Sequence, residues 1–370
     1  MKAVIVSSFD TYLERIELLK EYYESRGYET TVILSNFRHF KKEFINESRE
    51  RFEYIDTKPY YKNLSMARIS SHYKFARDAF EKVDELKPEL LHVLIPANSL
   101  AKEADKYKKK HPEIKLYFDL IDLWPETMPI GNIKTKFPFS LWKDVRDRHL
   151  DRAEVIFTEC DLYRNVLKKE NDDRYKTLYW AYNGTPLSSS PNININEINL
   201  CYLGSINNII DIDMIVDICS KLKKYKAIKL HVIGNGEKKS ELLEKLEQKE
   251  ITFIDYGVIY DNVEKQKIFD GCWFGLNVMK KTVCVGLTMK SIDYLKASLP
   301  ILNTIPYDTE QMVNTFDVGL NIRQGVECEI LELTEKDLLL KRENARSLFA
   351  SVFSKNAFFS TMDSILKLSK

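Results

Sequence analysis

The sequence predicts an α/β protein built from two doubly wound parallel-sheet domains. The chain of 370 residues is longer than one ordinary hydrophobic core organises. Short apolar runs alternate along it with amphipathic helical stretches, and this alternation is typical of parallel sheets connected by helices. A stretch rich in Ser, Pro and Asn, at positions 183–196, interrupts the alternation, which then restarts. Two α/β domains joined by a linker account for this pattern.

The first half opens with a strand, a helix and a second strand. Ala3–Val6 is a short apolar run, Leu13–Arg26 has apolar residues at helical spacing, and Thr30–Leu34 is a second apolar run. Gly27 ends the helix, as glycine commonly does. Further strands are predicted at Leu90–Ile95, Ile114–Leu120 and Ala153–Phe157, with one helix ending at Lys109 and another after the last strand.

The stretch Phe37–Phe80 does not fit this alternation. It is rich in aromatic and basic residues and shows no clean strand periodicity. We predict a helical excursion with loops, typical of a variable recognition region. The other interpretation is a pair of surface helices whose aromatic residues pack inward.

The second half repeats the alternation more regularly. Strands are predicted at Asn199–Leu203, Lys229–Ile233, Ile251–Asp255, Phe274–Val278 and Pro300–Asn303, and helices at Asp211–Leu222, Lys238–Leu246, Val263–Phe269 and Met289–Ala297. These elements place the first domain at 1–186, a linker at 187–196 and the second domain at 197–351. The tail Asn344–Leu368 is predicted to be helical, with its last part, about 352–370, packing back on the first domain.

Composition narrows the class of function. The formal net charge is +1, about +2 before position 190 and −1 after it, and the lack of a basic excess in either half gives no support to nucleic-acid binding. The six cysteines and six histidines show no metal-ligand spacing, so no metal site is predicted. No run approaches the roughly 20 apolar residues that cross a bilayer, and the first residues do not form a signal peptide. We expect a cytoplasmic protein.

The segment 287–302, LTMKSIDYLKASLPIL, is the most informative in the chain. On a helix, Lys290 and Asp293 share one face near the amino terminus. There, an ammonium group and free backbone amides can bind a diphosphate, and a carboxylate can accept hydrogen bonds from ribose hydroxyls. The alternative is an ordinary exposed ion pair between the two side chains.

A second segment, 118–127, FDLIDLWPET, places carboxylates directly after a predicted strand. Asp122 comes just past the strand, and Glu126 follows one turn later. A carboxylate at this position can orient or deprotonate an acceptor hydroxyl, or stabilise developing positive charge. The alternative is that Asp122 caps the following turn and Glu126 is solvated.

Segment 287–302 resembles the donor-site motif of retaining family 4 glycosyltransferases of the GT-B fold. Lys290, Asp293, Tyr294 and Pro300 occupy its key positions. Segments 201–205, 231–236 and 253–259 resemble three further motifs of that family, in the same order along the chain. Segment 118–127 resembles a motif of its bacterial polysaccharide enzymes.

The resemblance implies two Rossmann-like doubly wound domains facing a central cleft. It implies transfer, with retention, of a hexosyl group from a nucleoside diphosphate sugar, UDP- or GDP-linked, to a cell-surface polysaccharide such as capsule or O-antigen, or to a lipid-linked saccharide. The donor is a substrate, and no cofactor is expected. A lipid-linked acceptor would bring the protein to the inner face of the membrane, with the aromatic and basic residues of Phe37–Tyr61 as the contact.

The resemblance also implies roles for individual residues. The nucleotide would contact Gly204, Ser205, Gly234, Gly257, Val258, Lys290, Ser291 and Asp293. Asp122 and Lys290 would be catalytic, and Glu126, Arg68 and His72 would lie on the acceptor side.

The chain departs from the family pattern in three loops. No Arg or Lys follows Gly204, and positions 7–11, SSFDT, replace the glycine-rich first loop of the family. The glutamate that contacts the donor sugar in the family corresponds to Val285, so the sugar would be held by backbone amides at Gly286, Leu287 and Thr288, or by Lys280 and Lys281. Arg15 is the nearest cation to the first loop, and we predict a surface helix residue there rather than a phosphate contact. The lost glutamate keeps two alternatives open: a nucleotide-sugar epimerase of the same fold, and a non-catalytic partner subunit.

Overall fold

A computed structural model describes residues 1–128, 130–131 and 135–367 of the chain. It divides the chain into two compact units, which we call unit 1 and unit 2. Unit 1 comprises Met1–Asn183 and the segment that begins at Lys355, and unit 2 comprises Gly184–Ser354. Each unit contains one parallel β-sheet with helical connections.

The sheet of unit 1 has seven parallel strands in the order β3-β2-β1-β4-β5-β6-β7. The strands are β1 Lys2–Ser7, β2 Glu29–Ser35, β3 Phe52–Ile55, β4 Leu90–Ile95, β5 Lys115–Leu120, β6 Val155–Thr158 and β7 Tyr175–Thr177. The helices are α1 Leu13–Ser25, α2 Met66–Leu86, α3 Asn98–Lys110, α4 Phe139–Asp147 and α5 Asp161–Val166. Every residue of β4 is buried, as expected of a strand covered on both faces.

The sheet of unit 2 has six parallel strands in the order β10-β9-β8-β11-β12-β13. The strands are β8 Glu197–Leu203, β9 Ala227–Ile233, β10 Thr252–Gly257, β11 Phe274–Asn277, β12 Ile301–Asn303 and β13 Gly319–Asn321. The helices are α6 Ile212–Lys223, α7 Lys239–Gln248, α8 Asn262–Asp270, α9 Met289–Lys296, α10 Asp308–Phe316, α11 Val326–Glu332 and α12 Glu335–Leu348. A π-helical turn, Phe349–Phe353, ends the unit.

In each sheet the first strand of the unit lies between the second and the fourth: β1 between β2 and β4, and β8 between β9 and β11. The winding direction of the sheet therefore reverses beside this first strand. Beyond the carboxyl ends of the strands, such a reversal opens a crevice, and this is where α/β sheets of this type bind ligands. The crevice of unit 1 follows β1 and β4, and that of unit 2 follows β8 and β11.

The last helix, α13 (Lys355–Leu366), packs on α1 within unit 1. The rings of Tyr22 and Phe359 contact edge to face at 5.4 Å between centroids, and Arg26 Nε donates to the carboxylate of Asp363 at 2.9 Å. The predicted tail included positions 368–370, which lie outside the described residues.

Two segments differ from the sequence predictions. The stretch Phe37–Phe80 contains a strand, β3, that was not predicted, because its four residues are all half-buried and show no alternation. Within the predicted linker, Ser189 Oγ and the Ser190 amide donate to the carboxylate of Asp270, at 2.7 and 3.0 Å. This part of the predicted linker is therefore hydrogen-bonded to unit 2.

Arg15, predicted to be a surface residue, is almost completely buried in unit 1. Its guanidinium donates to both carboxylate oxygens of Asp119 on β5, at 2.6 and 2.8 Å, and to the carbonyls of Leu178 and Tyr179. The prediction was wrong because helical spacing does not reveal a partner more than a hundred residues away. Arg15 joins α1 to the sheet.

We expect Arg15→Met to lower the free energy of unfolding of unit 1 by about 3–5 kcal/mol, because it leaves the Asp119 charge buried without its partner. Chemical unfolding, followed with a probe in unit 1, measures the change. Glu29→Gln is the control: it removes an exposed ion pair with Arg51, which solvent screens, and should leave stability nearly unchanged. Equal effects of the two substitutions would contradict this account.

Candidate functional site

Three glycine-containing loops meet beyond the carboxyl ends of the strands of unit 2. The amide of Gly204, directly after β8, donates to the carbonyl of Ile233 at 2.8 Å. The amide of Gly234, directly after β9, donates to the carbonyl of Gly257 at 2.6 Å. The loops after β8, β9 and β10 are thereby joined to one another.

Close backbone contact explains the glycine at position 234. It has φ +145°, and a Cβ there would lie 1.9 Å from the carbonyl oxygen of Gly204. At Gly236 a Cβ would lie 2.3 Å from the carbonyl oxygen of Ile206. These two positions require glycine because the loop after β9 packs directly against the backbone of the loop after β8. A nucleotide contact of Gly234, as predicted, would be made by its backbone. Val258, after β10, is half exposed.

We expect Gly234→Ala to separate the β8 and β9 loops and to lower the unfolding temperature of unit 2 by several degrees. The side chain cannot be accommodated, because it collides with rigid backbone rather than with a flexible side chain. Gly271→Ala is the matched control, since its nearest atom beyond the chain neighbours lies at 3.7 Å. Calorimetry of the two variants checks the prediction; a Gly234→Ala protein as stable as Gly271→Ala would contradict it.

The amino terminus of α9 is held by a reciprocal capping box. Thr288 Oγ1 accepts a hydrogen bond from the Ser291 amide, and Ser291 Oγ accepts one from the Thr288 amide, both at 3.2 Å. The Thr288 amide, predicted to contact the sugar, therefore donates within the protein, and the Ser291 hydroxyl, predicted to contact the nucleotide, is also hydrogen-bonded there. The carbonyl of Gly286 accepts from the amide and hydroxyl of Thr309, at 2.9 and 2.7 Å. The amides of Gly286 and Leu287 have no hydrogen-bond partner in the described part of the chain.

Lys290 reaches back from α9 to the end of β8. Its Nζ donates to the Tyr202 hydroxyl at 3.1 Å and lies 4.3 Å from the centroid of that ring. Its Cε lies 4.0 Å from the position that a Cβ on Gly204 would occupy. Burial lowers the pKa of Lys290 to about 7. Among the described residues it makes no ion pair, so the alternative of an exposed pair with Asp293 is wrong.

Asp293 lies one turn further along α9 and lines a small pocket of about 130 Å³. Leu203 at the end of β8 and Gln266 and Phe269 of α8 also line this pocket. The Tyr294 hydroxyl accepts from the Leu203 amide at 2.7 Å and donates to the Cys201 carbonyl at 3.1 Å. This side chain fixes α9 against β8, which places Lys290 and Asp293 at the strand end.

The structure therefore places some of the predicted donor-site residues together at the end of β8, while others are exposed or hydrogen-bonded within the protein. Lys290 lies beside Gly204, and Asp293 lines a pocket at the end of the same strand. Ser205 is exposed, and its carbonyl accepts from the Tyr202 hydroxyl at 2.8 Å. Tyr202, which accepts the hydrogen bond from Lys290, lies in segment 201–205 and was not predicted as a site residue. Its partnership with Lys290 spans 88 positions and leaves no local sequence signal.

In unit 1, Asp122 lies just past β5 and accepts a hydrogen bond from the Tyr12 hydroxyl at 2.9 Å. Burial raises the pKa of Asp122 to about 6, although the Tyr12 hydrogen bond and the Arg68 charge oppose the rise. A carboxyl group with a pKa near neutrality can exchange a proton with a substrate hydroxyl. Tyr12 was not predicted as a site residue.

Glu126 forms a two-pronged ion pair with the fully buried Arg146, with both oxygen–nitrogen distances at 2.9 Å. Burial alone would raise the pKa of Glu126, but the bonds from Arg146 hold it below its ordinary value. Arg146 also donates to the Trp124 carbonyl at 2.8 Å. The alternative that Glu126 is solvated is therefore wrong. Its carboxylate binds Arg146 on α4 and so holds the turn after β5 against that helix.

Arg68 and His72, predicted on the acceptor side, are both buried near the start of α2. Trp124 lies beneath both: the Arg68 Cζ is 4.4 Å from its ring centroid, and the His72 ring is nearly parallel to it at 6.4 Å. Phe9, after β1, packs edge-on against His72 at 5.4 Å. These aromatic neighbours were not predicted as site residues, because they come from separate parts of the sequence.

Within residues 1–128, 130–131 and 135–367, no cluster of three or more His, Cys, Asp or Glu side chains could hold a metal ion. None of the helices described is both long enough and apolar enough to cross a membrane.

Comparisons with known proteins find similarity in structure but not in sequence. No protein-family model and no curated protein matches the chain. Among solved structures, Anabaena HepE in complex with UDP has a TM-score of 0.70 at 10% identity, over 99% of this chain and 100% of that one. The sucrose-phosphate synthase of Thermosynechococcus elongatus has a TM-score of 0.69 at 10% identity, over 99% and 98% of the two chains.

The lipopolysaccharide outer core galactosyltransferase WaaB, in its apo form, has a TM-score of 0.64 at 10% identity over 99% of both chains. At this identity the similarities show a shared fold. The predicted fold class, α/β with two doubly wound parallel-sheet domains of the GT-B kind, is confirmed.

Proposed function

We propose that the protein is a glycosyltransferase that moves a hexosyl group from a nucleoside diphosphate sugar to a saccharide acceptor. The observation that carries this proposal is the position of Lys290. Its ammonium lies beside the Gly204 backbone at the crevice of unit 2, without a carboxylate partner among the described residues. A cation in this setting suits a diphosphate. HepE, of similar fold, was solved with UDP, which favours a nucleotide-linked donor.

In unit 2 the donor would bind with its diphosphate against Lys290 and the start of α9. The amides of Gly286 and Leu287 can donate to phosphate or sugar oxygens, and the helix dipole of α9 favours negative charge. Asp293 would accept the ribose hydroxyls. As the bond to the anomeric carbon breaks, the leaving diphosphate gains charge, which Lys290 stabilises.

In unit 1 the acceptor hydroxyl would transfer its proton toward Asp122. The carboxyl group has a pKa of about 6 and is oriented by Tyr12, so above pH 6 it is mostly ionised and can accept a hydrogen bond or a proton. The resemblance to family 4 enzymes supports retention of the anomeric configuration, a UDP- or GDP-linked donor, and a cell-surface polysaccharide or lipid-linked acceptor.

Donor turnover tests the proposal and separates it from its rivals. UDP- and GDP-linked sugars are incubated with the protein, with and without a saccharide-lipid extract, and nucleotide release and the configuration of the sugar are followed by NMR. A glycosyltransferase releases nucleotide in an acceptor-dependent way. Conversion of the donor to its epimer without acceptor would support the epimerase instead, and nucleotide binding with no turnover under any condition would support the non-catalytic subunit.

A peripheral contact with a membrane would involve the aromatic segment 37–61. Phe40 and Tyr61 are about three-quarters exposed, and lysines are interspersed with them. Flotation with anionic liposomes tests this contact in the parent and in a Phe40→Ser, Tyr61→Ser double variant. The parent should float with the liposomes and the double variant should stay at the bottom of the gradient. A parent that also stays at the bottom would contradict the membrane contact.

A further inference from the structure

Arg68 and His72 have buried polar atoms that nothing in the described part of the chain satisfies. Arg68 is 4% exposed; its Nη1 donates to the Asn63 carbonyl at 2.8 Å, but Nε and Nη2 have no hydrogen-bond partner. His72 is 5% exposed, and neither ring nitrogen has a partner. The two side chains are four residues apart on α2 and therefore share one face of the helix.

An unpaired buried guanidinium is unfavourable, because the charge has lost its water without gaining a counter-charge. Arg68 makes no ion pair within the described residues. The closest compensation is the face of Trp124, and a cation–π contact replaces only part of the lost hydration. The charge of Asp122 interacts with that of Arg68, but the hydrogen bond that Asp122 accepts comes from Tyr12 and not from the guanidinium. Two guanidinium nitrogens are therefore left without an acceptor.

Groups of both signs surround this site. The Asp10 carboxylate accepts a hydrogen bond from the His39 amide at 3.3 Å, and the other groups are positive or neutral. Ser65 caps α2 by accepting from the Arg68 amide at 3.2 Å, so the positive end of a 21-residue helix dipole lies at the same place. Lys42 lies 4.7 Å from the ring centroid of Tyr60, and His39 bonds that tyrosine's hydroxyl at 2.7 Å. His39 is thus satisfied, and His72 is not.

A pocket of about 340 Å³ reaches the Arg68 side chain. The pocket is lined by Asn63, Leu64, Ser65, Met66, Arg68, Ile69, Pro138, Phe139 and Trp142. Most of this lining is apolar, and Arg68 is the one cation among the described residues that line the pocket. An anionic group that enters the pocket would meet the guanidinium in surroundings of low dielectric constant, where a charge-assisted hydrogen bond is strong.

We propose that Arg68, His72 and the first turn of α2 form an oxyanion subsite, and that the acceptor carries a phosphate or carboxylate group that binds there. This inference rests on the proposed function, in which unit 1 binds the acceptor. It narrows the substrate class to anionic saccharides: those linked through phosphate, or those that contain an acidic sugar. Nε and Nη2 of Arg68 would donate to two oxygens of the group, and His72 would donate to one.

Titration with inorganic phosphate and with malonate tests the subsite, the first probe standing for a phosphate-linked acceptor and the second for a carboxylate-bearing one. The unfolding temperature reports binding, and the ring resonances of His72 report its location. One or both anions should raise the unfolding temperature and shift the His72 resonances, and the tighter-binding anion identifies the group. Unchanged His72 resonances at saturating phosphate and malonate would overturn the inference.

Three variants locate the response. Arg68→Met should remove it, and His72→Phe, which preserves the aromatic packing on Trp124, should weaken anion binding at least five-fold. Arg77→Met is the control, because Arg77 is an exposed arginine on the same helix, and this variant should respond like the parent. If Arg68→Met does not fold, His72→Phe decides the outcome, and an unweakened response in that variant would overturn the inference.

A Lys290→Met variant excludes binding at the unit 2 site and should retain the phosphate response. Loss of the response in Lys290→Met but not in Arg68→Met would overturn the subsite. UDP and GDP are titrated in parallel. Stabilisation by either nucleotide without any response to phosphate or malonate would overturn the oxyanion subsite alone, whereas absence of a response to both nucleotides would count against the proposed function itself.

Discussion

Lys290→Met is expected to weaken nucleoside diphosphate binding by about 10- to 100-fold, which corresponds to the loss of one charge-assisted contact worth roughly 1.5–3 kcal/mol. The substitution keeps most of the apolar stem that packs on Tyr202 and removes the ammonium beside Gly204. Isothermal titration with the preferred nucleotide measures the change. Lys221→Met, at a partly exposed lysine of α6, is the control and should bind as the parent does.

Because the pKa of Lys290 is lowered, we expect nucleotide binding to depend on pH. Burial lowers the pKa of Lys290 from an ordinary 10.5 to about 7, so the free protein loses this charge as the pH rises above 7. A bound diphosphate would restore the protonated form. Affinity should therefore fall by up to about ten-fold per pH unit above 7, with proton uptake on binding.

In Lys290→Met this pH dependence should disappear. The free variant should also be more stable than the parent at pH 7, because the depressed pKa makes the lysine unfavourable to the native state at every pH below its ordinary pKa. A parent whose affinity is constant between pH 7 and 9 would contradict the placement of Lys290 against the diphosphate.

Asp122→Asn should lower the rate of glycosyl transfer by about 10²- to 10⁴-fold, the range typical of the loss of a positioned proton acceptor. Asparagine keeps the size of the side chain but cannot accept the proton. Nucleotide binding in unit 2 should be unaffected. In the parent, the rate should fall as the pH drops through about 6, since protonation of Asp122 removes the acceptor.

Stability should change in the opposite direction to activity. The raised pKa means that ionised Asp122 destabilises the native protein; its stabilising contribution is complete below pH 3.8 and is lost as the pH rises through about 6. Asp122→Asn should therefore increase the free energy of unfolding at pH 8 by up to about 3 kcal/mol, with no gain at pH 3.8 or below. Unfolding curves at several pH values measure the difference.

Tyr12→Phe is the companion variant. Its hydroxyl bond to Asp122 opposes the rise of the pKa, so its removal should move the acidic limb of the rate profile to higher pH. An unchanged profile in Tyr12→Phe, together with normal transfer by Asp122→Asn, would show that Asp122 has no part in the reaction.

Much of the fold could be predicted from periodicity, because the strands of a parallel sheet are continuous apolar runs. β4 is an example: five of its six residues are apolar, all six are buried, and its predicted bounds, Leu90–Ile95, match the structure. The unpredicted β3 lies at a sheet edge with half-buried residues and has no such signature. The short edge strands β7 and β13 were also not predicted, because three residues are too few to show a period.

The part of the candidate site that depends on local spacing along the sequence could also be predicted. Lys290 and Asp293 share one short segment, so their proximity follows from helix geometry. The partners that set their environments, or that of Asp122, come from distant parts of the chain: Tyr202 for Lys290 and Tyr12 for Asp122. Likewise, nothing in the sequence near Glu126 indicates that Arg146 neutralises it.

The most direct test of the account is a thermal-shift panel of UDP, GDP, ADP, CMP and dTDP, with the parent, Asp293→Ala and Asp122→Ala measured together. One nucleoside diphosphate should stabilise the parent and Asp122→Ala but not Asp293→Ala, which would place the donor in unit 2 and identify its base. If no nucleotide stabilises the parent, or if Asp293→Ala responds as the parent does, the donor site is not where we propose.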